Sequence, residues 1–288
     1  MANVNTDIVT NFVATPSVKN DSQQLHGVKR IAQGTIALAS GDLSATDTVM
    51  LAPIPTNASV SSIKLFNDDL DSGYLITQGN ERFLVYGLPY VDENIEINFI
   101  GRTILVNYSD YGESRIKIDN ESLVNPSIED RERASAEYLK IRSIIRNNSS
   151  QFDQDFNFIT PINAVITSPF GKRRFINDSP RSPHMGLDIR GAVGTPIVAP
   201  KKGKVVLAES HFYSGNIVML DHGGGLFTSF SHLDSFVVQV GDVVDQGQEF
   251  AYVGSTGRVT GPHLHWVVYL NGNRINPELL VNLELAQD

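Results

Sequence analysis

The sequence predicts a mainly β protein with one connecting α-helix, and three observations carry that reading. Short runs rich in β-branched and aromatic residues, such as Thr35–Ala39, Val60–Phe66 and Phe83–Tyr86, recur between Gly, Pro, Asn and Asp punctuation. The stretch after Pro126 carries helix-start signals followed by apolar residues at helical spacing. Beyond it the chain returns to β-prone runs, of which Leu264-His-Trp-Val-Val-Tyr-Leu270 is the clearest.

Taken in order, Met1 to about Gly27 is polar and without periodicity, and reads as an extended arm. Residues 1–73 are expected to form a β-rich leader and residues 74–125 a small β domain. Residues 126–150 are expected to be helix and linker. Ser127-Ile128-Glu129-Asp130 is a capping signature. The helix should run through Ile144, with acidic residues early and Lys140, Arg142 and Arg146 late, as the helix dipole favours. Tyr138, Ile141, Ile144 and Ile145 form an apolar stripe that must pack on something. Asn147-Asn148-Ser149-Ser150 reads as the linker, and residues 151–288 as a β-rich domain of their own.

Composition narrows the function classes. A chain of 288 residues, 41% hydrophobic and 19% charged, is long enough for two or more domains. A formal net charge of −9 argues against a nucleic-acid binder, whose footprint would be basic. The absence of cysteine excludes a disulfide framework and any thiolate site. No stretch approaches the roughly twenty apolar residues needed to span a bilayer. The first ten residues, Met-Ala-Asn-Val-Asn-Thr-Asp-Ile-Val-Thr, do not read as a basic region followed by an apolar one, so no secretory signal is expected.

The chemistry lies in the last third. His184 and Asp188 are four apart, His232 follows, and His263 and His265 close the set. Neutral imidazole and carboxylate suit a borderline-soft divalent ion such as zinc, and three protein ligands with an open water position mark a catalytic site. His263 and His265 stand two apart in a predicted strand, so both rings share a face. One can bind metal while the other handles a proton or an oxyanion. Pro180 and Pro183 before His184, and Gly186, Gly191 and Gly194 after it, argue against a helix there. A loop entering a short strand is expected, with Gly186 allowing a tight bend. The chain has no His-Glu-x-x-His, so no glutamate is placed by motif as general base. His222 reads as a turn residue, while His211 and His26 read as solvated. Arg173 and Arg174 are equally well read as contacts to a substrate carboxylate or as a solvated loop.

From about Ile159 to Leu280 the chain resembles the lysostaphin/LytM-type zinc metallopeptidases that cut peptidoglycan. The matching pieces are Ser168-Pro-Phe-Gly-Lys-Arg173, His184-x-x-x-Asp188, Gly194-Thr-Pro-Ile-Val-Ala-Pro200 and Gly215-Asn-x-Val-x-Leu-Asp-His-Gly223. Ser231-His-Leu233, Val240-Gly-Asp-x-Val244, Gly254-Ser-Thr-Gly257 and Gly261-Pro-His-Leu-His265 follow in order. The resemblance implies an antiparallel half-barrel peptidase domain and one zinc per chain held by His184, Asp188 and His265. It makes His232 and His263 the non-ligand catalytic histidines and peptidoglycan cross-links or stem peptides the substrate. Some relatives have lost ligands and act as activators, but all five positions are present here. Peptidoglycan is itself anionic, so affinity for it must come from a local patch or from the cleft.

Parts of the first 73 residues, including Leu25-His-Gly-Val-Lys-Arg30 and Lys64-Leu-Phe-Asn-Asp-Asp69, resemble small bacteriophage virion proteins. That resemblance implies a phage-encoded enzyme carried by a particle or released at lysis, with self-association or virion partners through the leader. Gly79 to Val124 also resembles the β-rich leader of some proteobacterial relatives, which implies a bacterial envelope hydrolase instead. The expected location is accordingly a virion or the extracellular or periplasmic wall space.

Overall fold

The computed structural model describes residues 48–53, 74–78, 81–99, 102–147 and 157–281. The runs at Thr35–Ala39 and Val60–Phe66, His26 and most of the virion-like motifs lie outside them. The N-terminal strands are β1 (Thr48–Pro53), β2 (Tyr74–Gln78), β3 (Glu81–Gly87), β4 (Ile95–Phe99), β5 (Arg102–Val106) and β6 (Glu113–Ile116). Two helices follow, α1 (Glu121–Val124) and α2 (Ile128–Arg146). The rest is β7 (Ile166–Ser168), β8 (Arg173–Ile176), β9 (Ser179–Arg181), β10 (Leu187–Arg190), β11 (Pro196–Val198), β12 (Gly203–His211), β13 (Gly215–Asp221), β14 (Leu226–Phe236), β15 (Val243–Val244), β16 (Glu249–Val253), β17 (His263–Leu270), β18 (Asn273–Ile275) and the short α3 (Glu278–Val281).

The expected mainly β class holds. A ten-stranded antiparallel sheet runs β15-β12-β13-β14-β17-β10-β7, with β16 bridging β14 to β11 and β18 extending β17. Alternation along its central strands builds two apolar layers. Val218 and Leu220 on β13, and Leu264, Trp266, Val268 and Leu270 on β17, enter the main core with Phe230 and Phe250. Ile217, Met219, Phe227, Val267 and Tyr269 face the other way and are covered by Ile141, Ile144 and Ile145 of α2.

Ser127 caps α2, its side chain accepting from the Asp130 N–H, as the sequence predicts. The helix continues to Arg146, one turn's fraction beyond the expected end. Tyr138 departs from the expected stripe. It is 49% exposed, with the Arg142 guanidinium 5.9 Å from its ring centroid. Polar contacts fasten the helix alongside the apolar ones: Lys140 pairs with Glu209, and Glu137 accepts from both Arg133 and the Phe212 N–H.

The segment before the helix is joined to the ten-stranded sheet. Val85 of β3 is buried in the main core, and the Asn273 side-chain amide donates to the Gly87 carbonyl at 2.9 Å. β6 pairs in parallel with β8, extending the β8–β9 hairpin. The Tyr90 hydroxyl donates to the Gly171 carbonyl at 3.2 Å, and the Tyr111 ring meets Phe170 edge-on. Gly171 has φ of +88° and would drive a Cβ into the Tyr111 ring, so glycine is required there twice over.

Candidate metal centre

His184 lies in the loop that enters β10, and Asp188 lies on that strand, as expected. Leu187 and Ile189 point into the core, which sends Asp188 to the opposite face. His265 is its direct cross-strand partner on β17. His263 and His265 share the face that Val267 and Tyr269 present to α2 further along the strand. Gly186 stands in a bend just before β10, as expected, without a positive φ, and close packing also requires glycine there. A side chain there would meet the Trp266 carbonyl at 2.7 Å and the His265 ring at 2.8 Å.

His232 reaches the same face by a different route. Plain alternation would send it, like Phe230, into the core. Asn216 pairs with Leu233 while Val218 pairs with Phe230, so Ser231 and His232 together oppose Ile217. This is a β-bulge, and His232 sits in it at φ +65°. The bulge reverses the alternation, returning Leu233 to the core and turning the His232 ring toward His263 and His265, at centroid distances of 4.9 and 5.9 Å.

Three donor atoms converge. His184 Nε2 is 2.9 Å from Asp188 Oδ1 and 3.1 Å from His265 Nδ1, and His265 Nδ1 is 2.7 Å from Asp188 Oδ1. A tetrahedral zinc with bonds of about 2.0–2.1 Å separates its ligands by roughly 3.3 Å, so the trio fits such an ion after a small outward adjustment. Among the described residues, these are the only His and acidic side chains grouped closely enough to hold a metal. The His184 ring is oriented for ligation from behind: Nδ1–H donates to the Pro169 carbonyl at 2.9 Å, with Ser168 Oγ at 3.2 Å, leaving Nε2 bare.

His232 and His263 stand beside the trio and share one tautomer logic. His232 Nδ1–H donates to the Thr256 carbonyl and His263 Nδ1–H to the Gly261 carbonyl, each at 2.9 Å. Each ring therefore offers an unprotonated Nε2, and that of His263 lies 3.6 Å from Asp188 Oδ1. Burial pushes His232 down to about 3, and the neighbouring His265 and His263 add to that shift. Burial likewise lowers His265 to about 4, against the pull of Asp188. Burial alone would raise the Asp188 carboxyl, but the His184 and His265 rings beside it outweigh that effect and hold it well below the usual carboxylate range. The lowered values of His232 and His265 favour their neutral forms beside an ionised carboxylate, as metal ligation requires of a ligand such as His265.

All five expected residues meet at this point. Ser168, Pro169 and Thr256 also belong to the arrangement although no role was assigned to them; their motifs were visible, but which carbonyl meets which ring depends on the folded loops. His222 leads into the turn at 223–225, close to the expected turn position. It is buried, with Nδ1–H donating to the Lys202 carbonyl, Nε2 accepting from Thr228, and its ring against Phe158. His211 is not solvated as expected. It is 4% exposed and bonded to Glu209 at 2.8 Å, because α2 covers that end of β12. Arg173 and Arg174 lie on β8 rather than in a loop. Arg173 faces Glu113 and Asp110, and Arg174 faces Asp188.

Known proteins share parts of this sequence and fold. Over 122 residues the chain is 39% identical to the peptidoglycan DD-endopeptidase ShyA of Vibrio cholerae, covering 42% of this chain and 28% of that protein. It is 28% identical over 238 residues to ShyC of the same organism, named as a peptidoglycan DD-endopeptidase too, covering 82% of this chain and 50% of that one. The chain thus spans half or less of the length of these curated relatives. A crystal structure assigned to peptidase M23 from Pseudomonas aeruginosa superposes with a TM-score of 0.64 at 26% identity, covering 83% of this chain and 94% of that one. Residues 182–277, a third of the chain, match the family model described as Peptidase family M23.

Proposed function

We propose that the protein is a zinc-dependent endopeptidase that hydrolyses peptide bonds in peptidoglycan cross-links or stem peptides. The convergence of His184 Nε2, Asp188 Oδ1 and His265 Nδ1 carries this reading. In it those three residues hold the ion, and His232 and His263 are the catalytic histidines. A zinc held there would supply Lewis-acid chemistry, making water nucleophilic near neutral pH and polarising the scissile carbonyl. The two bare Nε2 atoms, fixed by the Thr256 and Gly261 carbonyls, share the remaining work: accepting the water proton, stabilising the oxyanion and returning the proton to the leaving amine. The reading needs no covalent intermediate.

The wall space outside the cytoplasmic membrane is the matching location. The likeness to ShyC and to the Pseudomonas structure covers more than four fifths of the chain and so reaches well before residue 126, which favours a bacterial envelope hydrolase over a virion enzyme. The virion reading rests on sequence motifs in the first 73 residues alone. Both readings share one test of activity. Purified peptidoglycan of several wall types is digested and its fragments are identified by mass spectrometry, with and without a chelator. Release of peptide fragments that stops on chelation and returns with zinc is expected. No release from any wall type would favour a non-catalytic, wall-binding role.

A further inference from the structure

This acidic chain gathers guanidinium groups beside its candidate metal centre. Arg174 on β8 and Arg181 on β9 are direct cross-strand partners, an arrangement in which like charges oppose folding. The Arg174 guanidinium lies 3.8 Å from Asp188 Oδ2, too far for a hydrogen bond, and on the carboxylate oxygen not used by His184 and His265. Its Nε is buried with no hydrogen-bond partner among the described residues. Leaving such a donor unpaired is costly. The Arg258 guanidinium sits over the Tyr213 ring, its Cζ 4.1 Å from the centroid. Burial lowers the Arg258 pKa and, against the effect of Tyr213, Arg174 and Arg181 lower it further, so the three groups sense one another. Arg181 spends one donor on the Val124 carbonyl. Among the described residues neither Arg181 nor Arg258 forms an ion pair with a carboxylate.

A purely structural role for Arg174 in holding Asp188 leaves its buried, unpaired Nε and the like-charged Arg181 opposite it unexplained. We propose that Arg174, Arg181 and Arg258 form an anion subsite beside the metal centre that takes the free carboxylate of a diaminopimelate residue in the substrate peptide. The proposal rests on the peptidoglycan reading. Guanidinium forks match a carboxylate in geometry as well as charge, and the subsite supplies the local patch by which a chain of net charge −9 holds an anionic polymer. An uncharged glycine bridge offers it nothing.

The test is equilibrium binding by the full-length, metal-loaded protein. Two synthetic stem tripeptides ending in diaminopimelate serve as probes, one with a free side-chain carboxylate and one with that group as the carboxamide. Neither carries a cross-link, so binding is read without turnover. The carboxylate form should bind on the order of tenfold more tightly, as befits hydrogen bonds to a charged group. Arg181→Gln and Arg258→Gln should bring the two affinities together, while Arg258→Lys keeps part of the preference. Equal binding of both probes, no binding of either, or a preference that survives both glutamine variants overturns the subsite. Peptidoglycan digestion by the same preparations is scored separately. Selective binding without digestion removes the peptidase reading and keeps the subsite; digestion without selective binding does the reverse.

Discussion

Asp188 and His265 stand directly opposite each other on β10 and β17, with His265 Nδ1 2.7 Å from Asp188 Oδ1. Two adjacent strands of one sheet therefore supply two of the three converging atoms, and only His184 comes from a loop. Rigid strands hold a site more closely than loops do. The loop residue is correspondingly braced by the Pro169 carbonyl and by its own backbone, with the His184 carbonyl accepting from Gly171 N–H at 2.7 Å.

That bracing gives the first prediction. Gly171→Ala places a Cβ at φ +88° and against Tyr111, next to the strut that holds His184. The left-handed backbone alone costs roughly 1–2 kcal/mol. The variant should melt several degrees lower and bind zinc more weakly. Unchanged melting and metal affinity would show that the strut is unimportant.

The second prediction separates metal holders from proton carriers. His232→Ala and His263→Ala should retain the metal but lose on the order of 10²-fold or more in kcat, as for other positioned acid–base groups. Elemental analysis beside a turnover assay checks this. Loss of metal from either variant would exchange the roles assigned here.

Much of this site is legible from residue spacing because a strand forces alternation, so His263 and His265 converge wherever that strand forms. His232 is different. Its spacing predicts a core-facing ring, and only the bulge at Ser231–His232 turns it into the site; a bulge depends on the register of three strands and leaves no mark in the local sequence. The helix was readable from Ser127 and its apolar stripe, whereas Tyr138 stays exposed although the nearby Glu137 and Lys140 reach Phe212 and Glu209. His211 sits in a polar stretch that looks solvent-facing until α2 folds over it. The guanidinium cluster was half visible, as Arg173-Arg174, but its members come from β8, β9 and the loop before β17.

The third prediction concerns acid stability. Burial pushes the His222 ring down to about 4, against the pull of the Lys202 carbonyl, from an ordinary value of about 6.5. The unfolded chain therefore binds a proton that the folded chain refuses between pH 6.5 and 4. Stability is full above the higher value and falls as pH drops through this window, by a total on the order of 3 kcal/mol. Urea midpoints measured from pH 7 to pH 4 should fall, and the fall should be shallower in His222→Gln. An identical slope in the variant would assign the acid sensitivity elsewhere.

The most direct test of the account is the metal content of purified full-length protein, wild type beside Asp188→Ala and His265→Ala, after equilibration with zinc and removal of the free ion. The account predicts about one zinc per wild-type chain, as for a catalytic centre with three protein ligands, and far less in either variant. A wild-type protein that retains no zinc, or variants that retain it stoichiometrically, would contradict it.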